Sequence, residues 1–294
     1  MPELFLLIRR WTLMTVLPVI VLVACAKAGQ PEPESEPEKS SITGYWDAVN
    51  LNNDSLILNP RLLLKPTLNF FMMLENTKMG KEAAVEAFMQ KLVRSDTSIL
   101  QYMMDNVIEK YLYEAGSPVR NDATYLMMLR YLLNDSRLDS LSRNRFTNQI
   151  RLLNQNLPGH QANNFEFQFS DGQISDLYRL SEVPVLLYFN NPDCEACKQT
   201  TQLLAGSEVL NTAIKANDVQ VVTVYADRDL TMWQSVQFPV TWKKVNSIHP
   251  DSLNVLYDLR AIPCMYLLDS QKRVVIKDGL ADEILLYLKQ MQKL

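Results

Sequence analysis

The chain has 294 residues, 47% of them hydrophobic, and a formal net charge of -4. That is enough apolar material for one or two globular cores, and an acidic balance with scattered Lys and Arg argues against a dedicated nucleic-acid binder. Only two histidines occur, His160 and His249, so His-rich metal chemistry is not expected.

The first 24 residues read as a secretory signal. Arg9 and Arg10 precede an apolar stretch from Trp11 to Ala24, which is shorter than the ~20 residues a spanning helix needs. The stretch ends in Leu22-Val23-Ala24-Cys25. This resembles a bacterial lipobox, with small residues before the cut and a Cys immediately after it. The resemblance implies a mature chain starting at Cys25, lipidated on that sulfur and held to a membrane, each buried CH₂ contributing ~0.8 kcal/mol. A plain anchor with an incidental Cys is the other reading. Ala26 stands where an Asp would signal inner-membrane retention, so the same resemblance favours the outer membrane of the cell envelope and leaves the periplasmic or surface face open. Residues 25–41 alternate Pro and Glu and read as a solvated tether, with an export-sorting signal as the sharper alternative.

Residues 42–157 read as a helical domain. Val85, Phe88 and Leu92 form one stripe; Ile99, Met103, Val107 and Tyr111 form another; Tyr125, Met128, Leu129 and Leu132 form a third. Asp96 and Asn121 stand at N-cap positions ahead of these stripes, and Gly116 and Pro118 mark a stop between two helices. Met72, Met103 and Met127 are read as core filling, with an adaptable binding face as the alternative.

After Pro158-Gly159 the period changes to two. Phe165, Phe167 and Phe169 alternate with polar residues, and Asp171-Gly172 signals a hairpin turn. Val183–Phe189 and Val219–Tyr225 are continuous apolar runs, as expected of strands buried on both faces. A helix is predicted over 195–215, placing Leu203, Leu204 and Leu210 against the sheet. CMYLLD and RVVIKD read as an antiparallel pair, and Ala281–Leu294 as a closing helix. Trp233 and Trp242 are assigned to a helical insertion. The order of elements over 158–294 builds an α/β sandwich.

FNNPDCEACKQT holds two of the four cysteines, Cys194 and Cys197. They could be a redox pair, half of a metal site or a structural bridge. Cys194 falls just after a buried strand and just before a helix, where unpaired N–H groups and the helix dipole favour a thiolate. Cys197 lies one turn along, within reach of a mixed disulfide on Cys194. In an exported chain disulfides can form and persist. With Cys25 lipidated, Cys194, Cys197 and Cys264 remain, too few for a disulfide scaffold.

Residues 158–294 resemble the thioredoxin superfamily, in particular its membrane-tethered TlpA/ResA-like branch. The hairpin FEFQFSDGQISDL, the strand–CEAC–helix unit and YDLRAIPCMYLLD carry the resemblance. It implies a redox-active Cys194–Cys197 disulfide with no other cofactor, and a cis proline at Pro263. Ile262 and Pro263 would then shape the groove where a substrate chain pairs. YWDAVNLNNDSLI and YLYEAGSPVRND resemble an uncharacterised helical domain that precedes thioredoxin-like domains in predicted lipoproteins. The expected fold is therefore α+β in two domains, an N-terminal all-α domain followed by a thioredoxin-like α/β sandwich.

Two residues, Asp193 and Tyr188, depart from the family pattern. Asp193 replaces a common aromatic residue before the first Cys, and with Glu195 it places carboxylates on both sides of the thiol, which opposes the thiolate. Tyr188 stands where many thioredoxins bury a carboxylate that relays protons. Cys264, directly after Pro263, is read as a buried core residue, with a third redox thiol as the alternative. A zinc site from Cys194, Cys197, Cys264 and His249 lacks supporting spacing, and no metal is expected. The expected function is a lipid-anchored envelope thiol–disulfide oxidoreductase acting as a reductase. Its partners would be exported protein disulfides or dithiols, an electron donor and a membrane reached through Cys25. A non-catalytic binding or scaffold lipoprotein is the rival.

Overall fold

A computed structural model of the protein describes residues 42–292. The signal, the lipidation position Cys25 and the tether lie outside the described residues. The described residues fall within one compact unit, Ser40–Leu294.

The first part is helical, as expected. It comprises α1 (Asp54–Leu58), α2 (Leu64–Asn76), α3 (Lys81–Leu92), α4 (Thr97–Met103), α5 (Glu109–Leu112), α6 (Asp122–Leu132) and α7 (Ser140–Leu153). A π-helical turn, Met104–Ile108, carries α4 into α5. Asp96 accepts from the Ser98 N–H at 2.8 Å and Asn121 from the Thr124 N–H at 2.8 Å, so each satisfies a donor that a helix start leaves unpaired, typically worth ~1 kcal/mol. The predicted stripes are buried at Val85, Phe88, Leu92, Ile99, Met103, Val107, Tyr125, Met128, Leu129 and Leu132. Trp46, Phe70 and Phe88 meet at ring-centroid distances of 4.8–5.8 Å. The three methionines do not share an environment, since Met103 is buried, Met127 packs half-buried on the core and Met72 is exposed.

The second part is a seven-stranded sheet in the order β2-β1-β5-β4-β3-β6-β7. Its strands are β1 (Glu166–Phe169), β2 (Ile174–Asp176), β3 (Val185–Asn190), β4 (Gln220–Tyr225), β5 (Lys243–Ser247), β6 (Cys264–Leu268) and β7 (Val274–Ile276). β3, β4 and β5 run parallel, while β1 pairs antiparallel with β5 and β6 antiparallel with β3. Gly172 adopts φ 89°, a conformation that costs glycine nothing, and closes the β1–β2 hairpin as predicted. Every residue of β3 is buried. Leu186 and Tyr188 face one core with Leu204, Leu210 and Ile284, and Val185, Leu187 and Phe189 face the other with Leu253 and Tyr257. That two-sided burial is why the run is continuously apolar.

Two expectations need correction. The helix expected over 195–215 is two helices, α8 (Glu195–Gly206) and α9 (Glu208–Lys215), because Ser207 accepts from the Leu210 N–H and starts a new helix. The break leaves Leu204 and Leu210 buried but Leu203 49% exposed. The region of Trp233 and Trp242 is not only helical. Between α10 (Leu230–Ser235) and α11 (Pro250–Leu256) lies β5, a full member of the sheet. Its sequence KKVNS hides it, since only Val245 is a core apolar residue and Lys244 passes its amine to the Gln234 and Val236 carbonyls. The closing helix α12 (Ala281–Met291) is as predicted, with Ile284 and Leu288 buried. Among the described residues no helix is long and apolar enough to cross a membrane.

Candidate active site

β3 delivers the chain to the site. Past Asn190, the Asn191 side chain accepts from the Asp193 N–H at 2.9 Å and its carbonyl accepts from the Cys194 N–H at 3.1 Å. This turn makes Cys194 the N-cap of α8, with φ -80° and ψ 116°. Its Sγ accepts from the Cys197 N–H at 3.2 Å. A sulfur can serve as such a cap because the first-turn N–H groups have no helical partner, and their dipoles favour negative charge there. Cys194 is half-buried and Cys197 buried, and both are free thiols. Asp193 and Glu195 are exposed, and Glu195 lies 3.8 Å from the Lys198 amine, so water and that lysine weaken their opposition to charge on sulfur.

The opposite wall is the segment before β6. The Ile262–Pro263 bond is cis. The Cys194 Sγ lies 3.5 Å from the Ile262 carbonyl, to which its thiol donates. The register explains the meeting: Phe189 near the end of β3 pairs with Cys264 at the start of β6, so the proline segment and the cysteine turn leave the sheet side by side. Cys194, Cys197, Ile262 and Pro263 are therefore brought together, from positions about seventy residues apart in the sequence.

Burial pushes the Cys197 thiol up to about 12, and the adjacent Cys194 sulfur adds to the rise. Cys197 is thus a neutral thiol at neutral pH. Tyr188 is fully buried beneath it and donates to the Cys197 carbonyl at 2.7 Å, within 3.0 Å of the Thr201 hydroxyl. Burial holds this phenol well above its ordinary value, so Tyr188 locks α8 to β3 and supplies no base at neutral pH. Cys264 is 1% exposed and donates to an Asp278 oxygen at 3.2 Å. Burial, reinforced by that carboxylate, raises its thiol well above the ordinary range. This is the behaviour of a structural thiol. His249 is exposed, 3.6 Å from Glu166. Among the described residues no group of three or more His, Cys, Asp or Glu is placed to hold a metal ion.

A charged cluster with no sequence motif lies beside the proline segment. Arg260 pairs with Asp122 and Asp258, and Arg120 with Asp122 and Asp278. Burial works against ionisation of Asp122, but hydrogen bonds and charge from the two arginines outweigh it and hold the carboxyl below its ordinary value. The only signal was the charge in VRND and YDLRAIP, both flanked by apolar stretches.

Comparison with known proteins fits this geometry. A family described as thioredoxin-like matches residues 181–274, and a domain of unknown function (DUF5106) matches residues 40–156. The chain is similar to a thioredoxin-like protein from Bacteroides caccae, with 29% identity, 85% of this chain and 91% of that one covered, and a TM-score of 0.74. It is similar to the C-terminal domain of an uncharacterized protein from Bacteroides fragilis, with 34% identity over 46% of this chain and 98% of that one, at a TM-score of 0.42. The thioredoxin domain of a thiol-disulfide oxidoreductase from Bacteroides vulgatus is 21% identical over 46% of this chain and 97% of that one, at a TM-score of 0.39. No curated protein matches the chain.

Proposed function

We propose that this chain, in which a thioredoxin-like match over residues 181–274 follows a DUF5106 match over residues 40–156, is a thiol–disulfide oxidoreductase that reduces disulfides of exported proteins. One observation carries the reading: Cys194 caps α8 with its sulfur while facing the carbonyl that precedes the cis proline. The Cys194 thiolate attacks one sulfur of a client disulfide. That S–S bond breaks, a mixed disulfide forms, and the leaving sulfur takes up a proton. Cys197 then loses its proton and attacks the Cys194 sulfur, which releases the second client thiol. Two electrons have passed to the client, and the Cys194–Cys197 pair is left as a disulfide. A dithiol donor must reduce it again.

The carboxylates of Asp193 and Glu195, screened as they are, still oppose rather than add to negative charge on the sulfur, and a strongly oxidising pair needs a well-stabilised thiolate, so the reducing direction is favoured. The test is a redox titration of the protein against thiol–disulfide buffers, scoring Cys194 and Cys197 by alkylation and mass. A reversible two-electron couple at a reducing potential is expected. A pair that never bridges or never cycles overturns the reading and favours a static binding protein.

We further propose that the protein is anchored to the bacterial envelope by lipid on Cys25, supported by the basic–apolar–Leu-Val-Ala-Cys pattern. Cys25→Ser is expected to abolish labelling by radioactive fatty acid and to move the protein from the membrane to the soluble fraction. Labelling that persists in the variant overturns the anchor.

A further inference from the structure

The segment from Asp258 to Pro263 has neither helix nor strand, and one main-chain bond holds it locally, from the Leu259 N–H to the Tyr257 carbonyl at 3.1 Å. Side chains hold both of its ends. Arg260, two residues before Ile262, has a side chain only 8% exposed. Its guanidinium makes a two-pronged pair with Asp122, both bonds at 3.1 Å, donates to Asp258 at 2.5 Å and to the Tyr113 carbonyl at 2.7 Å, and stacks 3.7 Å from the Tyr113 ring centre. On the far side of the proline, Cys264 donates to Asp278, whose other oxygen accepts from Arg120 at 2.6 Å. Tyr113, Arg120 and Asp122 all belong to the helical part of the chain. A fork of this kind fixes direction as well as distance, because guanidinium and carboxylate are both planar.

We propose that the helical part completes the redox site. Through Asp122 and Tyr113 it anchors Arg260, and Arg260 acts as a positioning residue that holds the Ile262 carbonyl against the Cys194 sulfur. The inference rests on the reading of Cys194 as the attacking sulfur, and it gives the helical part a task in the exchange. The Ile262 carbonyl accepts from the thiol and covers one side of it. A loosened segment therefore uncovers the sulfur, removes a dipole that disfavours the thiolate, and blurs the groove wall on which a client chain would align.

The test uses the full chain in its dithiol form, as wild type, Arg260→Met, Arg260→Lys and Asp122→Asn. Alkylation of Cys194 by iodoacetamide is followed by peptide mass from about pH 5 to about pH 9, beside KM and kcat on a disulfide-containing peptide. Arg260→Met is expected to speed Cys194 alkylation at neutral pH about five-fold and to move the profile to lower pH, while KM rises about ten-fold with kcat within about two-fold. Arg260→Lys should recover part of each change, and Asp122→Asn should move them the same way. Should Arg260→Met not fold, the other two variants decide. Wild-type alkylation profiles and KM in the variants, beside a lowered urea midpoint, overturn the proposal and leave the cluster as a fastening only. If the wild type turns over no disulfide, the reductase reading fails, while the alkylation profiles still decide whether Arg260 positions the Ile262 carbonyl.

Discussion

Cys194→Ser is expected to lower the rate of disulfide reduction on the order of 10³-fold or more, because among the described residues no other sulfur is placed to act as nucleophile. Cys197 and Cys264 are both buried, and burial holds both thiols up. Cys197→Ser should behave differently: attack by Cys194 survives, resolution does not, and a mixed disulfide with the client accumulates that mass spectrometry can identify. In the native protein the second step should be the pH-sensitive one. The Cys197 thiolate fraction grows about ten-fold per pH unit while pH stays below the thiol's raised value, so resolution should quicken from neutral toward alkaline pH at close to that slope. Stopped-flow measurement of tryptophan fluorescence or a chromogenic client would read it. Full reductase activity in Cys194→Ser would remove the basis of the proposed function, and a pH-independent second step would mean that a base reaches Cys197 by a route other than Tyr188.

Asp258→Ala is expected to destabilise the protein by ~3 kcal/mol, since removing one partner of a buried ion pair leaves the other charge buried. The Asp258 side chain is 1% exposed and holds Arg260 at 2.5 Å. Arg260 keeps Asp122 as a second partner, which places the loss at the lower end of the usual range. At a denaturant slope of about 3 kcal/mol per M the urea midpoint should fall by roughly 1 M. Asp258→Asn, which retains an acceptor but not the charge, should lose less. A midpoint for Asp258→Ala within about 0.2 M of wild type would mean that the Asp122 fork alone satisfies the guanidinium.

The parts of the fold that could be read in advance were those where a local pattern and the tertiary environment agree. β3 is apolar at nearly every position because both of its faces are covered, and Asp96 and Asn121 announce helix starts because a short polar side chain is the local solution to unpaired N–H groups. The cysteine pair was legible for the same reason: strand, turn, Cys and helix follow one another within fifteen residues. β5 was not, because two of its five residues are lysines whose stems cover apolar surface while their amines reach polar partners. The break at Ser207 was missed because an apolar stripe continues across it. The Arg260 cluster was out of reach for another reason. Arg260 and Asp122 are 138 residues apart, and a charge that finds its partner across the fold has no local periodicity to betray it. The two stretches that meet there, YLYEAGSPVRND and YDLRAIPCMYLLD, each carry a family resemblance, and nothing local in either marks the other as its neighbour.

The two outermost strands of the sheet, β2 and β7, are three residues long. The outer side of β7 is also occupied, since the Val274 N–H donates to the His160 carbonyl and its carbonyl accepts from the Gly159 N–H, both at 2.8 Å. At β2 the strand ends in Asp176, whose carboxylate turns back to cap the next turn through the Tyr178 and Arg179 N–H groups. Long bare margins of a sheet recruit stray chains and seed aggregates. A protein proposed to act on the disulfides of exported proteins would meet such chains. Its sheet offers them little margin to join, so the sheet edges do not compete with the cysteine turn for such chains.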